Sequence, residues 1–113
     1  MASVVAFLVM KGMALAGRLK EKDAYDIYYC LVNYGGDPEA LVEEFRPHVK
    51  HGLVREGLLK IREKFRSPSD VGPVFVASFL EETDSDERDL LQRDAHERVT
   101  YLIEQLGLAR TDQ

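Results

Sequence analysis

Cysteine is almost absent: Cys30 is the one thiol in 113 residues, so no internal disulfide can form. It lies in an aromatic-rich stretch that reads as packed structure rather than an exposed redox loop, and a cytoplasmic protein is expected. Long apolar runs are missing too. Met1 to Gly17 is apolar apart from Ser3 and Lys11, but crossing roughly 30 Å of hydrocarbon takes about 20 such residues. The run is not a secretory signal either, although Ala14-Leu15-Ala16 imitates a cleavage site. Its positive charge interrupts and follows the apolar stretch, at Lys11, Arg18, Lys20 and Lys22, instead of preceding it. No membrane partner is expected. Nor is positive charge in excess: the net charge is -5, which gives no general reason to bind nucleic acid or an acidic membrane, although a local patch can hide in the sum.

What is present is ordinary globular material. Hydrophobic residues make up 45% and charged residues 31%, away from the composition of disorder. The length suits one modest core, so residues 1–113 are read as a single domain, all-α, a compact bundle of about five to six helices.

The helices follow from caps and periodicity. Ser3 can cap a first helix running to about Ala16, with Gly17 expected at its left-handed end. A second runs from about Lys20–Lys22 to Tyr34, with Ala24, Ile27, Tyr28 and Leu31 on one face and Gly35-Gly36 as its stop. Asp37 caps a short third helix with Pro38 in its first position and Leu41, Val42 and Phe45 inward, ended by Pro47. The fourth is expected over Val49–Phe65, with Val54, Leu58, Ile61 and Phe65 in register. Val74 to Leu80 is rich in Val and Phe and resembles a strand. Ser69 or Asp70 can cap it as a helix, however, Pro73 suits a first turn, and no second strand-like run exists to pair with it. The last helix runs from about Asp86 to Leu106 on the stripe Leu91, Ala95, Val99, Leu102 and Leu106, with Gly107 ending it. Because the chain enters a core helix almost at Met1, the expectation is that something upstream is missing or is supplied by another chain.

Lys11 stands out chemically. It is the only charged group in the first seventeen residues, and its helical neighbours Phe7, Leu8, Ala14 and Leu15 are all apolar. Such a lysine can snorkel to solvent, pair with a carboxylate, or hold an anion such as phosphate. Asp23 and Asp26, three apart, share a face of the next helix, flanked by Lys22, Tyr29 and Asn33. Two carboxylates and a lysine can thus meet across a helical hairpin. A purely structural alternative has Asp23 facing the positive end of the helix dipole and Asp26 bridged to Lys11 or Arg18.

The run from Lys11 to Tyr29, Lys-Gly-Met-Ala-Leu-Ala-Gly-Arg-Leu-Lys-Glu-Lys-Asp-Ala-Tyr-Asp-Ile-Tyr-Tyr, resembles the AbiEii/AbiGii-type nucleotidyltransferase toxin family. In that family a "K…AL..R.K.RDxYDLY" segment lies in the C-terminal helical half, after an N-terminal mixed α/β nucleotidyltransferase core. The likeness continues through Phe65-Arg66-Ser67-Pro68 and Gly72-Pro73 to the helix around Glu97. It implies metal-dependent transfer of a nucleotide from an NTP, with tRNA as an acceptor class, in a prokaryotic toxin-antitoxin or phage-defence setting. The family's lysine falls on Lys11, contacting NTP phosphates with Arg18 nearby, and its aspartate on Asp26, with Asp23 the neighbouring candidate. The metal-binding Gly-Ser…Asp-x-Asp of the N-terminal half is absent here. No metal ligand is therefore named, and Mg and NTP are implied only if a catalytic core chain is supplied. Alone, the chain is expected to be inactive.

Other motifs carry less. Asp84-Ser85-Asp86 lacks the Gly-Ser turn and strand and reads as a helix start. His48 and His51 have no third ligand at suitable spacing and read as surface histidines opening a helix. Residues 46–66 hold seven Lys or Arg against Glu56 and Glu63, a local +5. Lys50, Arg55, Lys60 and Arg62 can guide a tRNA backbone or form a solvated face, which the acidic segment 81–97 can offset in a hairpin or a dimer. Three readings follow: the helical half of a nucleotidyltransferase, a non-catalytic interaction or homodimerisation module, and an RNA-binding helical domain.

Overall fold

The computed structural model describes residues 3–108. Within them the chain forms six α-helices and no strand: α1 Val4–Arg18, α2 Glu21–Asn33, α3 Pro38–Phe45, α4 Gly52–Lys64, α5 Val71–Phe79 and α6 Ser85–Gln105, with a single 3₁₀ turn at Arg46–His48. The all-α bundle is as the sequence predicts.

Most ends are where their caps place them. The Ser3 hydroxyl accepts from the Ala6 N–H, Asp37 from the Ala40 N–H, Asp70 from the Val71 N–H, and Asp84 from both the Asp86 and Glu87 N–H groups. Each satisfies an orphan donor of the first turn. The Val- and Phe-rich run is α5, with Val76 and Ala77 fully buried.

Two boundaries differ from expectation. α1 passes through Gly17 and ends at Leu19, which takes the left-handed conformation (φ 51°) and returns its N–H to the Leu15 carbonyl. Gly17 is the better residue for that geometry, but the two further helical residues keep Arg18 in the helix and within reach of Asp23. α4 starts at Gly52 rather than Val49. Pro47 sits inside the 3₁₀ turn, and the His51 ring accepts the Leu53 N–H through Nδ1 at 3.3 Å, capping the helix. His51 therefore has a structural role at a helix start.

α1 lies against α4 and α2, α2 against α5, and α6 closes the bundle over α5, α3 and α4. Leu8, Leu15, Ile27, Val42, Phe45, Leu58, Ile61, Phe65 and Val99 make the centre of the core. The α1–α4 approach is close because Gly12 and Gly57 leave room for it. Among the described residues Asp23, 1% exposed, is the only charged residue that is fully buried.

Candidate functional site: a lysine between two aspartates

The turn at Leu19-Lys20 folds α2 back along α1, which brings the third residue of α2 opposite the middle of α1. Lys11 occupies the α1 face that also carries the buried Leu8 and Leu15, and its side chain is only 14% exposed. Its ammonium lies 2.8 Å from Asp26 Oδ2 and 3.2 Å from Asp23 Oδ1. Arg18 meets Asp23 with two parallel bonds, Nε to Oδ2 at 2.8 Å and Nη2 to Oδ1 at 3.0 Å, the forked geometry that a guanidinium offers a carboxylate. Lys22 completes the group, donating to Asp26 Oδ2 at 2.9 Å one helical turn away. The lysine and both carboxylates thus meet across the hairpin. Arg18 bridges Asp23 rather than Asp26, a pairing that the sequence left open. Asp23 also lies in the first turn of α2, where the dipole favours a negative charge.

Electrostatics fix the protonation states. The bonds from Arg18, with those from Lys11, hold the Asp23 carboxyl below its ordinary value despite the opposing effect of burial. For Asp26 burial is the largest single influence and pushes upward, but the bonds from Lys11 and Lys22 together outweigh it and the net shift is downward. Lys11 is held above its ordinary value, chiefly by its bond to Asp26. In this arrangement neither carboxylate is poised as a proton acceptor near neutrality and the lysine is not a base. The group is a fixed charge cluster of three cations and two anions.

Metal chemistry finds no third ligand. Among the described residues no three His, Cys, Asp or Glu side chains gather to hold an ion. Asp23 and Asp26 are engaged by Lys and Arg, a donor set suited to neutralising charge rather than to ligating Mg. Asp84 serves as the α6 cap.

Beside Asp26 the α1–α2 surface opens into a concavity whose walls also include Phe7, Tyr29, Cys30, Asn33 and Tyr34. Phe7 sits one turn before Lys11, its ring centroid 5.8 Å from the ammonium. The sequence points to Tyr29 and Asn33 beside the aspartates and to Phe7 only as an apolar helical neighbour of Lys11, four residues before it; it gives no signal for Tyr34, whose position depends on how α2 ends. Cys30 is half-buried, and burial raises its thiol pKa, in keeping with a packed cysteine.

The basic segment is dispersed. Arg46 pairs with Glu43 and Glu39, Lys60 with Glu56, and Arg66 with Glu63. The side chain of Arg62 is 14% exposed and donates to the Leu108 carbonyl at 2.7 Å, linking α4 to the end of α6. Lys50 and Arg55 are exposed. In the acidic segment, Asp94 accepts the Tyr28 hydroxyl at 2.6 Å and Arg98 at 2.9 Å.

No family model, no curated protein and no solved structure matches the chain. No helix among the described residues is long and apolar enough to cross a membrane.

Proposed function

We propose that this chain is the helical portion of a nucleotidyltransferase-like protein of the toxin or phage-defence type. In this reading it contributes Lys11 and an aspartate to an NTP site completed by a further domain or partner chain. The observation that carries it is the double ion pair: a lysine among apolar helical neighbours, fixed by Asp23 and Asp26, the latter at the wall of an aromatic-lined concavity. Lys11 supplies positive charge to the triphosphate as charge shifts during transfer. Asp23, chelated by Arg18, and Asp26 together position Lys11, and Asp26 is the carboxylate nearer solvent. Mg belongs with the completing half, since the carboxylates here are committed to cations. Cytoplasmic location and tRNA as acceptor are parts of the same proposal.

The test is reconstitution with a nucleotidyltransferase core carrying the Gly-Ser…Asp-x-Asp motif, scored by incorporation of labelled NTP into tRNA. Lys11→Ala should abolish transfer. A complex that stays fully active with Lys11 and Asp26 both replaced by alanine would sink the reading.

A second reading, a non-catalytic interaction or homodimerisation module, draws on an apolar cleft between α1 and the start of α4. Met10 and Leu53, each 56% exposed, stand there beside Val5, Val9, Met13 and Val54. Under it Lys11→Ala leaves self-association in sedimentation unchanged, whereas Met10→Asp abolishes it. An RNA-binding reading rests on Lys50, Arg55 and Lys60, with Arg62 largely committed to Leu108. Filter binding of labelled tRNA at two salt concentrations decides it, and no retention at the lower salt eliminates it.

A further inference from the structure

A second groove, between the end of α4 and the last turns of α6, shares no residue with the Lys11 cluster. Arg62 in α4 and Arg66 just past its end form one side. His96, Thr100 and Glu104, each four residues from the next, follow one face of α6 and form the other. The floor between them is apolar and consists of the core side chains Phe65, Val99 and Ile103. The cavity is about 410 Å³, within the range that small-molecule sites occupy.

The two sides differ in hydrogen-bonding character. The arginine side donates. Arg66 gives Nη2 to Glu63 at 3.3 Å in an exposed pair, and a guanidinium has five N–H groups, so it can also engage a second carboxylate. The α6 side accepts. His96 Nδ1 lies 2.9 Å from the Phe65 carbonyl oxygen; a carbonyl only accepts, so Nδ1 carries the hydrogen and Nε2 of the neutral ring keeps its lone pair. Thr100 adds a hydroxyl, and Glu104 an exposed carboxylate that enters no ion pair among the described residues.

A matching ligand carries an anion toward one side, a cationic donor toward the other and an apolar body for the floor. Neighbouring helices pack about 8–10 Å apart, so both charges belong to one small molecule. We propose that this groove binds a free α-amino acid with an apolar side chain. Its carboxylate pairs with Arg66, with Arg62 adding positive charge on the same side. Its ammonium donates to Thr100 and faces Glu104, and its side chain lies on Phe65, Val99 and Ile103. A plain carboxylic acid leaves the α6 acceptors without a donor, and a plain amine leaves the arginines without an anion.

The test titrates the 113-residue chain with L-leucine and L-phenylalanine while the His96 ring is followed by NMR. Partial ligands are titrated alongside. Glycine lacks the apolar body, 4-methylpentanoate the ammonium, 3-methylbutylamine the carboxylate, and N-acetyl-leucine the charge on nitrogen. Leucine and phenylalanine should shift the His96 signals saturably, with a Kd below about 10 mM. Each partial ligand should bind about tenfold more weakly, the scale of one lost charge-assisted bond or of the lost apolar contact. Arg66→Gln and Glu104→Gln, both at exposed positions where the fold does not depend on the side chain, should each weaken leucine by a similar factor. Binding of 4-methylpentanoate or 3-methylbutylamine as tight as that of leucine overturns the inference. N-acetyl-leucine binding as tightly also overturns it, and makes the ligand a peptide C-terminus. Leucine affinity unchanged in both variants, or no His96 response to about 50 mM leucine, where millimolar affinity registers, overturns it as well.

Discussion

Gly12 and Gly57 face each other across the α1–α4 contact so closely that a Cβ on Gly12 would stand 2.6 Å from the Gly57 carbonyl oxygen. The reverse holds as well: a Cβ on Gly57 would lie 2.9 Å from Val9 Cα. Both clashes are with backbone, so relief requires a whole helix to move. Alanine normally stabilises a helix over glycine by about 1 kcal/mol, but overpacking a core costs roughly 1–3 kcal/mol. Gly12→Ala and Gly57→Ala should therefore each lower the urea midpoint. Gly17, with nothing within 4 Å of its would-be Cβ, is the control. Gly17→Ala should raise the midpoint by the equivalent of about 0.5–1 kcal/mol.

Asp23 is nearly solvent-free and neutralises two cations, one of them itself largely buried. Asp23→Ala should cost about 2–4 kcal/mol, toward the lower part of the range for breaking a buried pair because Arg18 can turn to water. Asp26→Ala should cost less, about 1 kcal/mol, since Lys22 is solvated and Lys11 keeps Asp23. Equal losses in the two variants, measured by urea unfolding at neutral pH, would contradict the assignment of Asp23 as the central anion.

The same cluster sets a pH window. Asp23 and Asp26 are depressed from 3.8, so the folded state binds fewer protons there than the unfolded chain. Their contribution is complete above that value and is lost as pH falls through the lower folded values. Lys11 is raised from 10.5, so its contribution is complete below that value and is lost as pH rises through its folded pKa. Urea midpoints of the parent should fall at both extremes, and Asp23→Asn should flatten the acid limb. An unchanged acid limb in that variant would refute the linkage.

Tyr28 should titrate late. Burial, reinforced by its bond to the Asp94 carboxylate, pushes the phenol up to about 12 from 10.0. Between those values the folded state holds a proton that the unfolded chain has lost, so this contribution to stability declines as pH rises through the folded pKa. Phenolate absorbance should contain a component near 12 that is missing in Tyr28→Phe. If the two titration curves superimpose, the Tyr28–Asp94 bond does not persist in solution.

Helix content was legible because the signals are local. Ser3, Asp37 and Asp84 announce their helices by capping chemistry within three residues, and the stripe Ala95, Val99, Leu102 recurs at helical spacing. Lys11 was conspicuous for a similar reason, since a charge among apolar helical neighbours needs a partner, and the three-residue spacing of Asp23 and Asp26 offered one. The end of α1 was less legible. Gly17 has the right intrinsic preference, yet Leu19 takes the left-handed position in a hairpin where Arg18 reaches Asp23.

Sequence by itself determined that this chain makes helices, where most of them begin, and which residue on α1 carries an isolated charge, because caps, periodicity and charge are properties of neighbours along the chain. Only the tertiary structure decided which carboxylate Arg18 chelates, that Asp23 rather than Asp26 is buried, and that Phe7, Tyr29 and Tyr34 line one concavity. Those outcomes depend on the α1–α2 turn and on the approach of α4 through Gly12 and Gly57. These are distances through space between helices, and spacing within any one helix does not encode them.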